Sequence, residues 1–318
     1  MRTIKIGLCG FTITIAEYPR RFPVVEVQQT FYQPPAEAVM RRWRASVPAG
    51  FEITTKAWQL VTHTAASPTY RRLRRPLAAD ERAGAGGFRA SPIVDEGWRV
   101  TAACAATLGA TAILFQCPAS FRPTDENVAN FDAFFGRIER PPGIRLLWEP
   151  RGPSWPADLV TSLCAAHGLT HVVDPFVNPT VTAGPTYYRL HGVTGSRHVY
   201  TDDELLRLRD MLPAAGEAYV MFNNIPRADD ATRFGRLLGE GEIRLGDAVH
   251  VLAHQGRQTP VSRGNPAADH RATGSGDARA KKGRNGRMGA PMHHTAQPQF
   301  LPGGKNACNP AGRENPGR

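Results

Sequence analysis

Along the chain, short runs of apolar and β-branched residues alternate with longer stretches in which apolar positions return every three or four residues. The first pattern predicts strands covered on both faces, and the second predicts helices that lie on a sheet by one stripe. Eight runs qualify as strands: 4–8, 24–27, 51–55, 112–115, 145–148, 171–173, 187–190 and 218–222. Helical spacing is clearest over 36–46, 95–108, 125–138, 157–167, 202–211 and 229–238. Thr124 and Thr201 stand at the start of two of these stretches with acidic residues behind them. Their hydroxyls are placed to accept a backbone N–H, and the carboxylates complement the positive end of the helix dipole.

Strands alternating with helices predict a parallel sheet with crossovers, and eight strands in about 240 residues match a closed (β/α)8 TIM-like barrel. An open doubly wound sheet fits the alternation too, but it leaves two edges to protect. Segments after the first and sixth strands are short or rich in Pro and Gly, so crossover helices there are expected to be short or missing. Residues 57–92 form a long connection with basic runs Arg71-Arg72 and Arg74-Arg75. Its Gly84-Ala85-Gly86-Gly87 lacks the Gly-Lys-Ser/Thr ending of a nucleotide loop and reads as a flexible hinge.

From about residue 249 the periodicity stops and Gly, Pro, Asn and Arg dominate. The sequence therefore divides into a barrel domain over 1–248 and a basic, Gly/Pro-rich extension over 249–318, which is expected to be disordered because it cannot bury enough apolar surface to offset its ordering entropy. That division changes the meaning of the formal charge of +11: residues 249–318 hold 11 Lys and Arg against 3 Asp and Glu, and residues 1–248 hold 28 against 25. The barrel is nearly neutral, so any attraction to nucleic acid falls to Arg71 to Arg75 and the extension, and the favoured reading of the extension is a solvated appendage, because charge runs are common in disordered tails. Cys9, Cys104, Cys117, Cys164 and Cys308 are odd in number and widely spaced, which fits a reducing cytoplasm better than a disulfide framework or a cysteine zinc site. Without an apolar signal core or a run near the roughly 18–20 apolar residues that span a bilayer, no membrane partner is expected. Oligomeric state leaves no trace in the sequence.

Reacting groups of such a barrel gather at the C-terminal ends of its strands. Those ends carry Glu26, Gln28, Gln29, Thr30 and Tyr32, then Lys56 with His63 beyond it, then Gln116. Glu149, Arg151 and Trp155 follow the fifth strand, Asp174 the sixth, Arg189 and His191 the seventh, and Asn223 and Asn224 the eighth. A purely structural barrel could dispense with most of them, because an unpaired buried charge or amide is costly. Lys56, Arg151 and Arg189 favour an anion, and arginine presents a planar fork for carboxylate or phosphate. The expectation is a hydrolase, lyase or isomerase acting on a small, polar, anionic substrate. Glu149 and His191 are assigned as acid and base, Lys56 and Arg189 stabilise developing negative charge, and Asn223 orients the substrate. Glu26, Thr30, Tyr32, Gln116, Arg151, Trp155, Asp174 and Asn224 complete the binding set.

Other readings of the same residues stay open. Glu26, Glu149, Arg151, Asp174 and Arg189 could form an ion network that ties strands together. A desolvated Lys56 could form a Schiff base, or simply pair with Glu26 or Glu149. Glu26, Glu149, Asp174 and His191 include ligand types for a divalent metal, but no spacing supports one, and no cofactor is named by a motif. A nucleic-acid-binding or processing protein and a non-catalytic ligand-binding barrel are the alternatives in function.

Several segments together carry a resemblance: Val25-Glu26-Val27 with Thr30-Phe31-Tyr32, residues 51–56, Thr62-His63, Gln116-Cys117-Pro118, Glu149-Pro150-Arg151 with Ser154-Trp155, Tyr188-Arg189-Leu190-His191-Gly192, and Phe222-Asn223-Asn224. In order across roughly residues 4–240, they resemble the YecE-like domain-of-unknown-function family. The resemblance implies a TIM-like barrel and no particular activity. Relatives in that family carry Gly-x-Ser-Gly-Trp where this chain has Gly7-Leu8-Cys9-Gly10-Phe11, and often a His where it has Gly152.

Overall fold

The structure, a computed structural model, describes residues 2–245 and 250–251. Eight parallel strands close on themselves: β1 Arg2–Cys9, β2 Val24–Val27, β3 Glu52–Lys56, β4 Ala112–Gln116, β5 Arg145–Glu149, β6 Thr170–Val173, β7 Thr186–Leu190 and β8 Gly216–Phe222. Each pairs with the next, β8 pairs with β1 along Arg2 to Leu8, and Gly7 to Cys9 of β1 pair with β2. All eight are expected strands: β2 spans the expected residues, β3 is shifted by one, and the other six are extended by one to three residues. A further short strand, β9 His250–Val251, pairs with Thr3 and Ile4 of β1. Strand pairing thus reaches past residue 248, the expected end of the barrel. That boundary lies outside the described residues, as does the extension from 252 onward.

Helices are α1 Gln29–Tyr32, α2 Glu37–Ala45, α3 Gln59–Thr62, α4 Ala79–Gly84, α5 Pro92–Leu108, α6 Asp125–Arg137, α7 Ala157–His167, α8 Asp202–Asp210 and α9 Arg227–Leu245. The two weak crossovers are where the composition put them. After β1 there is only a 3-10 turn, Ile15–Arg20, and residues 174–185 between β6 and β7 form no helix. Both threonine caps are made: Thr124 Oγ1 accepts from Asn127 N at 3.2 Å, and Thr201 Oγ1 accepts from Glu204 N at 3.2 Å while Glu204 accepts from Thr201 N at 2.8 Å. Thr201→Ala is expected to cost about 1 kcal/mol. Thermal denaturation should record a fall of about 2–4 °C, and an unchanged Tm would show the cap to be idle.

Alternation along the strands sorts the core into two layers. Ile4, Ile6, Leu8, Ile53, Ile113, Phe115, Trp148, Val220 and Phe222 face outward to the helices, while Val24, Leu114, Leu147, Val172, Tyr187, Tyr219 and Met221 fill the barrel. The inner layer is tight enough to require glycine at position 7, where a Cβ would lie 2.6 Å from the Val24 carbonyl oxygen. Below it, Lys5 bonds to both Glu52 and Glu217, and Arg145 pairs with Glu217 at 2.7 Å, sealing the N-terminal end with matched charges.

Residues 84–87 are not a hinge. Gly86 N donates to Leu60 O at 2.8 Å and Phe88 N to Val61 O at 2.9 Å, so the segment is laced to α3. Gly86 has φ +75°, and a Cβ there would sit 2.1 Å from the His63 carbonyl, which makes this glycine a steric necessity. No helix among the described residues is long and apolar enough to cross a membrane.

Candidate functional site

The two-residue period of a strand dictates what reaches the barrel mouth. Positions 24, 114, 147, 172, 187 and 221 point inward, so Glu26, Gln116, Glu149, Asp174, Arg189, His191 and Asn223, which share their parity, do so as well. Lys56 follows the inward Thr54, whose hydroxyl lies 3.0 Å from that of Tyr187.

Arg189 is the hub, fully buried. Its Nε and Nη2 donate to the two oxygens of Glu26 at 3.0 and 2.8 Å, while Nη1 donates to Glu149 Oε2 at 2.5 Å and to Gln116 Oε1 at 3.2 Å. One guanidinium thereby satisfies two buried carboxylates from strands on either side of it. Lys56 is left with a neutral partner: its Nζ donates to Gln116 Oε1 at 2.7 Å and lies 4.0 Å from the centre of the Phe31 ring. Burial, reinforced by the Arg189 charge, lowers the Lys56 ammonium to about 8.

Glu149 sits at the inner end of a cavity. Burial pushes its carboxyl upward, but Arg189 and His191 outweigh that and hold it well below the usual carboxylate range. His191 Nε2 lies 3.0 Å from Glu149 Oε1 and His191 Nδ1 3.0 Å from Asn223 Nδ2, whose amide oxygen accepts from Gln28 Nε2 at 2.9 Å. Since an amide nitrogen only donates, Nδ1 carries the lone pair and Nε2 carries the proton. Asp174 fixes the His191 backbone, accepting from its N–H at 2.8 Å. Arg151 Nε stands 3.5 Å from Glu149 Oε1 with its side chain 42% exposed, so it is free to meet a ligand.

The sign of the Glu149 shift makes a prediction. Its folded value lies below the ordinary carboxyl value of about 4.3, so the stability it contributes is complete above that value and drains as pH falls. Urea denaturation from pH 7 to pH 3 should show a decline that Glu149→Gln flattens. Equal slopes in the two proteins would mean that this carboxyl titrates normally.

A cavity of about 300 Å³ opens here, lined by Glu149, Arg151, Trp155, Asp174 and His191 from the expected set. Glu26, Lys56, Gln116, Arg189 and Asn223 belong to the same hydrogen-bonded network but do not line it. Lys56 and Arg189 lie behind Glu149, Arg189 bonded to it directly and Lys56 joined to Arg189 through Gln116 Oε1. Thr30, Tyr32 and Asn224 are occupied elsewhere. Thr30 Oγ1 donates to Lys56 O at 2.8 Å, Asn224 Nδ2 donates to Asp230 Oδ2 at 2.6 Å, and the Tyr32 ring lies beneath the Arg72 guanidinium at 4.1 Å. Trp155 donates its indole N–H to Phe121 O at 2.9 Å and offers only its ring. His63 is buried, and that burial, followed by the Lys56 and Arg151 charges, lowers it to about 3.

His171, which is absent from the expected set, also lines the cavity. It pairs in register with the outward Trp148, so it faces outside the barrel, on the side left uncovered where residues 174–185 lack a helix. The Pro-rich composition of that connection was the available signal. Among the described residues, no three His, Cys, Asp or Glu side chains gather as a metal site. Of the basic run, Arg75 is paired with Glu81 at 2.7 Å and Arg72 is stacked on Tyr32.

Solved structures share this architecture. A DUF72 family protein from Enterococcus faecalis V583 superposes with a TM-score of 0.57 at 20% identity over 74% of this chain and 96% of that one. One from Thermotoga maritima MSB8 gives 0.55 at 19% identity over 74% and 99%. SacUVDE gives 0.51 at 8% identity over 75% and 99%, a likeness of fold alone. No curated protein matches the chain. The family described as "Protein of unknown function DUF72" matches residues 11–250, and with its barrel and the ordered motifs around Glu26, Glu149, Arg189 and His191 the chain belongs to that family.

Proposed function

We propose that the chain is an enzyme that moves a proton on a small anionic substrate held at the C-terminal mouth of the barrel. The observation that carries this reading is the line Gln28, Asn223, His191, Glu149, which holds one imidazole in one tautomer at the edge of a cavity beside the half-exposed, loosely paired Arg151. Glu149 is too acidic to exchange protons near neutrality. It orients His191 and stabilises the imidazolium that forms, and the proton transfer itself falls to His191 Nδ1. A substrate hydroxyl or acidic C–H reaching Nδ1 takes the place of the Asn223 amide. Arg151 receives the carboxylate or phosphate. Arg189 and Lys56 are positioning residues, which keep Glu149 ionised and aligned. Hydrolase, lyase and isomerase chemistry all use such a proton transfer.

The test is binding of anions to the full chain, followed by thermal shift. Succinate or inorganic phosphate at about 100 times its Kd adds about 2.7 kcal/mol, a rise of several degrees in Tm at about 2–4 °C per kcal/mol. Arg151→Met should abolish the rise without lowering the Tm of the free protein, because Arg151 is half exposed and only loosely paired. If neither anion shifts Tm, or Arg151→Met responds as the parent does, the reading fails.

A further inference from the structure

The cavity does not end at the barrel mouth. From Glu149 and His191 it runs over the strand ends to the outer face of β6, between α7 and residues 174–185, where Val160, Val173, Val177 and Val181 wall it. In most of the barrel a crossover helix covers that face. After β6 none does, and the apolar wall stays open, with Val177 71% exposed. At its base lies His171, only 6% exposed.

His171 holds the connection in place on one side and leaves one atom unused. Its backbone N–H donates to Thr182 Oγ1 at 3.1 Å, and its Nδ1 accepts from Val181 N–H at 3.3 Å. A ring nitrogen that accepts from an amide is unprotonated. Burial lowers this imidazole to about 4, so at neutral pH it is uncharged and its single proton is on Nε2. Nε2 makes no hydrogen bond to any described residue. A donor therefore stands at the floor of a recess walled by Val160, Val173, Val177 and Val181 together with Asn178, continuous with the proposed anion site.

We propose that this recess is a second subsite, which takes the apolar body of the substrate and a hydrogen-bond acceptor on that body at His171 Nε2. This rests on the reading of the mouth as an anion site. The substrate class is then an amphipathic organic acid: an anionic head at Arg151, the reacting position beside His191, and an apolar portion bearing a carbonyl or ether oxygen. A volume of about 300 Å³ has room for on the order of ten non-hydrogen atoms at about 30 Å³ each.

The two roles of His171 separate cleanly. In His171→Asn the amide oxygen takes the place of Nδ1 and keeps the Val181 bond, while the Nε2 donor is lost. Affinities of succinate, 4-phenylbutanoate and 4-oxo-4-phenylbutanoate are measured by calorimetry on the full chain and on this variant. Both phenyl acids should bind the parent about 10- to 100-fold more tightly than succinate. The keto acid should gain about a further two- to tenfold over 4-phenylbutanoate. His171→Asn should erase that last advantage alone, leaving the affinity of succinate unchanged. Equal affinity for succinate and the phenyl acids overturns the recess and leaves the anion site standing. Persistence of the keto advantage in the variant overturns the role of His171, and the ligand series on the parent tests the recess even if the variant fails to fold. Absence of binding by all three acids overturns both readings.

Discussion

Arg189→Met is expected to destabilise the barrel by about 3–5 kcal/mol, because it strands two buried carboxylates that share one guanidinium. Glu26 is fully buried and Glu149 nearly so, and Arg189 contributes three bonds to them between 2.5 and 3.0 Å. Methionine fills much of the volume but none of the charge. Lys56 cannot take over, since its ammonium is held toward Gln116. Urea denaturation at pH 7 reads the effect as a lower midpoint with an unchanged slope. Part of the loss should return near pH 4, where protonation relieves the stranded acids. A change under about 1 kcal/mol would mean that Arg189 is not what holds Glu26 and Glu149 in their buried, ionised state.

The neighbouring cation carries the opposite sign. Lys56→Met is expected to stabilise the protein by about 1–3 kcal/mol at pH 7, the upper figure being the free-energy equivalent of the depression from 10.5 to about 8. Burial, with Arg189 beside it, opposes the charge on this amine. The cost is present in full below pH 8 and is relieved as pH climbs from 8 toward 10.5. Gln116 Oε1 is not orphaned by the substitution, for it still accepts from Arg189 at 3.2 Å. Denaturation of the two proteins at pH 7 and pH 10 should show a gap that narrows at the higher value. A Lys56→Met protein less stable than the parent at pH 7 would show that the ammonium is favourably held. A charge kept at a cost to stability, against the network that keeps Glu149 ionised, fits a role in function better than one in architecture.

The contrast between these two cations marks a limit on what a sequence displays. Both stand at inward positions at the ends of strands, and both looked equally suited to an anion. Which of them would be neutralised by Glu26 and Glu149 depends on distances across the barrel, and the structure assigns both carboxylates to Arg189. Glu26 and Arg189 form an ion pair across the barrel, the contact that an ion network requires. The expectation of a cavity lined by the whole set was too generous, because the mouth has an inner shell behind the lining. Thr30 and Asn224 stand at the strand ends where binding groups are expected, yet their side chains bond to a backbone carbonyl and to Asp230.

What the chain by itself determined is everything that follows from local periodicity: eight strands and their inward positions, the threonine caps, the two weak crossovers, and the polar ring at one end. Alternation along a strand is a property of adjacent residues, so it can be read without knowing the partner strand. Tertiary structure alone decided which carboxylate meets which cation, which nitrogen of His191 carries the proton, and that His171 borders a recess left by an absent helix. Those outcomes depend on groups brought within about 3 Å of each other by closure of the barrel, and nothing in their spacing along the chain encodes that distance.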